Sequence, residues 1–235
     1  MTSRAVIAVV TAAIALGGCG DDDPEEPAVT AGPTAAQSCA SPAGNVAPGA
    51  LDQVIWPPVP YCTSDPAEVA RSFVTEYIGL EGDPQLGKFR EDEGEPPAGE
   101  IDIFRRGEDG RRLDSVASTL SLRVLGDAHW YVTSAQSGEV ELAAPEPLAP
   151  ITSPVRVEGR GRGFEGNVVL EVRAAYATAA LADRAVIAGS MEALEPFSTE
   201  LTFTPPPGVA TGAIVAKTGS GIAAADGFAA LPVRF

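Results

Sequence analysis

The stretch Ile151–Arg173, ITSPVRVEGRGRGFEGNVVLEVR, reads as two strands joined by a glycine-rich corner. Side chains of an extended strand alternate between faces, so Val155, Val157 and Gly159 share one side and Arg156, Glu158, Arg160 and Arg162 the other. After the corner, Val168, Leu170 and Val172 alternate with Val169, Glu171 and Arg173, the pattern of a second half-buried strand. Gly161-x-Gly163-x-x-Gly166 matches the dinucleotide fingerprint as text. That fingerprint needs a helix after its last glycine, and Asn167-Val168-Val169-Leu170-Glu171-Val172 is strand. The glycines therefore read as a tight β-corner.

Downstream, candidate strands lie near Arg184–Met191, Phe197–Thr204, Gly212–Lys217 and Ala229–Phe235. With the opening strands and an edge at Ile151 they make about seven, the number an immunoglobulin-like sandwich requires. This region holds no cysteine, so packing between sheets must hold it together.

A segment ending in Ser153-Pro154, then alternating residues, then Gly163-Phe164-Glu165-Gly166 and a valine-rich strand resembles the immunoglobulin-like domain of bacterial spore germination. Phe197-x-x-x-Leu201-x-Phe203-x-Pro205 and a closing strand to Phe235 fit the same pattern, so the resemblance runs from about Leu148 to Phe235. It implies an all-β sandwich used for interaction, with no catalytic residues to carry over and no ligand named. Such domains are often appended to exported lipoproteins, here of an actinobacterial type.

Upstream, Glu141–Pro150 (ELAAPEPLAP) reads as a short stiff linker, since repeated proline favours extended chain. Before it, Asp65-Pro66-Ala67-Glu68 is a helix start with cap, first-turn proline and capping-box glutamate. Val69, Phe73, Val74, Tyr77 and Ile78 then share one helical face up to Gly79. Ile101 and Ile103 open a strand that turns at Glu108-Asp109-Gly110. Val116, Leu120, Leu122 and Val124 alternate with Ala117, Thr119, Ser121 and Arg123; His129-Trp130-Tyr131-Val132 follows, and Ser137-Gly138 leads to Val140 and Leu142. One helix followed by an antiparallel meander is a small α+β domain.

Arg4 followed by the apolar run Ala5–Leu16 is an export signal, too short to span a bilayer. It ends in Leu16-Gly17-Gly18-Cys19, which resembles a bacterial lipobox; the resemblance implies lipidation (palmitate) of Cys19 at the new N-terminus. The alternative is an ordinary secretory signal with an incidental cysteine. Cys39 and Cys62 remain as an even pair, read as a disulfide in an oxidising compartment or else as two thiols. Between Cys19 and Cys62 the chain is rich in Ala, Pro, Gly and acid, too poor in large apolar residues to offset its chain entropy, and is expected to be disordered. The expected organisation is a signal at 1–18, an acidic tether at 19–62, the α+β domain at 63–146 and the sandwich at 147–235.

The formal net charge is −16, and loss of Arg4 with the signal takes it to −17. Nucleic acid is therefore an unsuitable partner. Residues 151–235 are nearly balanced, with seven basic and eight acidic side chains. Arg156, Arg160 and Arg162, with Arg173 on the next strand, form a candidate stripe for carboxylate or phosphate. A solvated, edge-protecting face is the alternative. His129 is the one histidine, so a transition-metal site lacks ligands, and no cofactor is expected. Serine-hydrolase and penicillin-binding signatures are absent.

These readings combine as a protein anchored by lipid to the extracytoplasmic face of the cell membrane. It acts without catalysis and binds wall polymer or an envelope protein through its β-sandwich. The alternative is a cell-wall hydrolase using carboxylates of residues 63–146, with Glu100, Asp102 and Asp114 as candidates. A third reading is a spacer that only positions partners.

Overall fold

The computed structural model describes residues 49–58, 63–107, 109–125, 129–190, 193–219 and 227–235. Cys19, Cys39 and Cys62, with the signal and nearly all of the tether, lie outside the described residues. Asp65 caps helix α1 (Pro66–Ser72), its carboxylate accepting the Ala67 N–H at 2.9 Å. The expected capping box closes through a third residue. Thr63 Oγ1 accepts the Asp65 N–H at 3.1 Å and donates to Glu68 Oε2 at 2.6 Å. From Phe73 to Ile78 the helix widens into a π-type turn, and it stops at Gly79, whose φ of 79° suits glycine. Val69, Phe73, Val74, Tyr77 and Ile78 are all buried, so the face read from their spacing is the face that packs. Among the described residues no helix is long and apolar enough to cross a membrane.

Twelve strands follow: β1 (Gln85–Leu86), β2 (Arg90–Asp92), β3 (Ala98–Arg106), β4 (Arg112–Val124), β5 (Trp130–Gln136) and β6 (Val140–Ala144). Next come β7 (Val155–Gly161), β8 (Asn167–Ala174), β9 (Ala180–Ile187), β10 (Glu195–Leu201), β11 (Thr211–Thr218) and β12 (Phe228–Arg234). They form two sheets. The larger runs β1-β3-β4-β5-β12-β11-β8-β9, with β2 also on β3; the smaller runs β10-β7-β6. Strands β6 to β12 are the seven of a sandwich, three against four, with β9 staying beside β8. The expected immunoglobulin-like sandwich and the helix with its meander are both present.

The stretch Glu141–Pro150 is not a linker throughout. Val140–Ala144 is β6, paired to β7 with Val140 opposite Gly161 and Leu142 opposite Gly159. The alternation of Val140 and Leu142 outweighs the prolines, which begin only at Pro145.

Two cores lie on opposite faces of the β12-β11-β8 region. The first collects Phe73, Tyr77, Trp56, Ile101, Leu120 and Val132 with Ala213, Val215, Phe228 and Ala230. The second collects Val157, Val168, Leu170, Val172, Phe197 and Leu201 with Ile214, Ala216 and Ala229. Strand β11 is thus buried on both faces, which is why Gly212–Ala216 reads as an unbroken apolar run rather than an alternating one. Each large aliphatic or aromatic side chain so buried contributes about 1.5–3 kcal/mol.

One local detail differs from the alternation read in the sequence, and another agrees with it. Between Ile103 and Phe104 the β3–β4 register slips, and Val116 is left 41% exposed while Ala117 is buried. Such a bulge moves side chains to the other face. At the corner after β7, Phe164–Gly166 forms a short 3-10 turn with Glu165 at φ 55°, and β8 follows directly, as expected for a β-corner.

Candidate functional site

The arginines expected to form one stripe have three different fates. Arg156 and Arg160 do stand exposed on the outer face of β7. Their neighbours, however, are acidic. Arg156 Nε pairs with Glu158 Oε1 at 2.6 Å and lies opposite Glu200 on β10, while Arg160 lies opposite Glu141 on β6. Arg160 also donates to the Leu194 carbonyl at 2.9 Å. Two arginines among three glutamates make a mixed surface, the solvated face that was the alternative reading. Arg162 turns aside into a bidentate pair with Glu139, at 3.0 and 3.1 Å, and Arg105 reaches the same carboxylate at 2.6 Å.

Arg173 corrects the stripe outright. It lies on β8, in the other sheet, and only 6% of it is exposed. Its Nε pairs with Glu171 Oε2 at 2.6 Å, its Nη1 donates to the Thr178 carbonyl at 2.7 Å and to the Tyr77 carbonyl, and the guanidinium lies 5.4 Å from the Tyr77 ring. Lys217 on β11 completes the group by pairing with Glu171. Alternation put Glu171 and Arg173 on a solvent face. The helix covers that face, so the charges are neutralised among themselves instead.

The carboxylates of the hydrolase reading sit on the open face of β3 and β4. Arg90 binds Asp102 at 2.9 Å and Glu100 at 3.2 Å, and Thr119 donates to Asp102 at 2.8 Å. The Arg90 guanidinium holds the Asp102 carboxyl below the ordinary aspartate range. A glycosidase acid needs its carboxyl held up rather than down, which is not the state of Asp102. Asp114 is exposed on β4.

The concave site is elsewhere. Strands β5 and β12 share a single pair of partners, Ala135 opposite Ala230, and then part. At that point β6 leaves for the other layer, and a groove of about 530 Å3 opens between the three strands. This is within the usual span of ligand pockets, about 300–1,000 Å3. Leu142, Leu148 and Leu231 form its apolar wall. Gln53, Thr133, Gln136 and Ser137 form the polar one, and among the described residues Glu141 is the only ionisable one in the lining.

Leu148 occupies the groove wall in a left-handed conformation, φ 61°. The Ala149 N–H donates to the Glu146 carbonyl at 3.0 Å, which makes Pro147 and Leu148 the central residues of a turn. A positive φ at the second of these is what glycine or asparagine ordinarily supplies. The neighbours enforce it: Leu148 N–H donates to Pro232 O at 2.7 Å, and Arg234 Nε donates to Leu148 O at 2.9 Å. Strain of about 1–2 kcal/mol held this way is characteristic of binding sites. Nothing in the sequence marked the groove. Val140 and Leu142 carry a strand signal that the meander reading assigns to residues 63–146, whereas their strand pairs with β7 of the sandwich, and a leucine announces no positive φ.

No curated protein and no solved structure matches this chain. Residues 139–222 match the family model of the immunoglobulin-like domain of bacterial spore germination. The match begins nine residues before Leu148, because β6 belongs to the sandwich, and it extends through β11. Residues 139–222 are thus immunoglobulin-like, while β12, the helix, and the strands β1–β5 that continue the larger sheet lie outside the matched stretch.

Proposed function

We propose that this protein is lipidated at Cys19, stands on the extracytoplasmic face of the cell membrane, and binds an envelope protein without catalysis. The observation that carries the choice of partner is the contrast between its two accessible surfaces. The arginine face of β7 is balanced by Glu141, Glu158 and Glu200, which leaves no excess positive charge for an anionic wall polymer. The groove beside β6 is concave, nearly uncharged and walled by leucines, the composition of a site that takes protein side chains. The acidic tether Asp21–Glu26 supports an outward presentation, because anionic headgroups repel it.

The test is site-specific photo-crosslinking in living cells. A crosslinker at Gln136 in the groove is expected to give a discrete protein adduct, and one at Arg156 is expected to give none. Adduct from Arg156 that co-purifies with sacculi, with nothing from Gln136, would transfer the function to the wall polymer. Release of the protein from membranes by Cys19→Ser checks the anchor.

A further inference from the structure

We infer that the groove captures an extended polypeptide segment, which joins the β10-β7-β6 sheet as a fourth strand along the open edge of β6. The inference rests on the interaction reading above and specifies its partner's chemistry. Strand β6 ends its sheet, and among the described residues no strand pairs with its other side. The Glu139 carbonyl accepts the Arg162 N–H at 2.8 Å. Antiparallel pairing alternates, so the backbone of Glu141 faces β7, while the N–H and C=O groups of Val140 and Leu142 point to the open edge. An edge of this kind is a template for another chain, and proteins that do not use theirs cover or charge it.

The side chains specify the incoming strand. Val140 and Leu142 face inward, with Val140 in the second core. A residue placed beside Leu142 meets Leu148 and Leu231 as well, so alternate positions of the segment are aliphatic. The intervening positions stand beside Glu141, the only charge in the lining among the described residues, on a chain of net charge −16. Those positions are basic or neutral. A second copy of this chain is disfavoured by the same charge. A glycan is disfavoured because, among the described residues, no aromatic ring lines the groove to stack on a sugar face.

The experiment uses the purified full chain and a fluorescent, end-capped octapeptide of alternating valine and lysine. Two further versions carry N-methyl groups on the valine amides or on the lysine amides. Edge addition loses binding by about tenfold or more in one methylated version and keeps it in the other. Valine methylation is the damaging one for antiparallel addition, lysine methylation for parallel addition. Amide NMR shifts are expected at Val140–Leu142 and Ala229–Leu231. Glu141→Lys is expected to turn the preference toward a valine–glutamate peptide, and Leu148→Gly to weaken binding severalfold while the protein stays folded. Equal binding by both methylated peptides, or shifts confined to other strands, overturns strand addition. A chitin oligomer runs alongside. If it moves these amides and the peptides do not, the polypeptide occupant is overturned and an interaction site remains. If neither ligand moves them, the groove is not the binding site and the proposed function falls with it.

Discussion

Arg173, on a strand of the sandwich, donates a hydrogen bond from Nη1 to the main-chain carbonyl of Tyr77 in the last turn of the helix. A cation at a helix C-terminus meets carbonyls that have no partner within the helix. Here the cation is also buried and paired with Glu171, so one side chain ties the helix to the immunoglobulin-like segment. Arg173→Met is expected to leave Tyr77 O and half of the Glu171 charge uncompensated, at a cost of about 3 kcal/mol. Lys217 remains to hold Glu171 and keeps the loss at the low end. Urea denaturation measures it; a midpoint within error of the parent would show that the tie contributes nothing.

The sandwich is expected to fail when cut free. Residues 139–235 alone would expose Ala213, Val215, Phe228 and Ala230, together with the Glu171–Arg173–Lys217 group, on the face that the helix covers. A contiguous apolar patch of this kind makes a domain aggregate. The fragment should bind hydrophobic dyes and show poor dispersion of amide resonances. A sharp cooperative thermal transition from the isolated fragment would mean that the helix is an ornament.

Gly159 permits the close packing of β6, β7 and Phe197. A Cβ there would lie 2.2 Å from the Glu141 carbonyl oxygen and 2.5 Å from the Phe197 ring. Phe197 is the direct cross-strand partner of Gly159, an aromatic ring covering a glycine in a sheet. Gly159→Ala is expected to destabilise by about 1–3 kcal/mol, the usual cost of overpacking, read as a fall in Tm. Gly138 has open space around it, so Gly138→Ala serves as the control.

Acid should remove one identifiable contribution. Asp102 is held below its ordinary pKa by Arg90, so its contribution to stability is fully present above the unfolded value of about 3.9 and is lost as pH falls through the lower folded value. Asp102→Asn is therefore expected to be less stable than the parent at pH 7, with the gap closing in strong acid. Chemical denaturation at pH 7 and at about pH 2.5 measures the gap; a constant difference would assign it to something other than charge.

Local physics was legible in the sequence. A proline-bearing cap at Asp65 and apolar residues three and four apart define the helix and its buried face, because both depend on neighbours within one or two turns. Strands β7 and β8 followed from alternation, β9 begins four residues before the expected Arg184–Met191, and Asn167–Val172 distinguished a β-corner from a phosphate loop. Charge pattern alone could not place Arg173, because strand alternation says which side chains share a face and nothing about what covers it. The cover arrives from Tyr77, 96 residues away. The same limit hid the groove. Ala135 and Ala230 meet once and separate, and Leu148 is forced to a positive φ by Pro232 and Arg234 at the far end of the chain. Periodicity and capping are determined within one element; burial of a charge, the strain at a turn and the gap between two strands are decided only when distant elements compete for the same space.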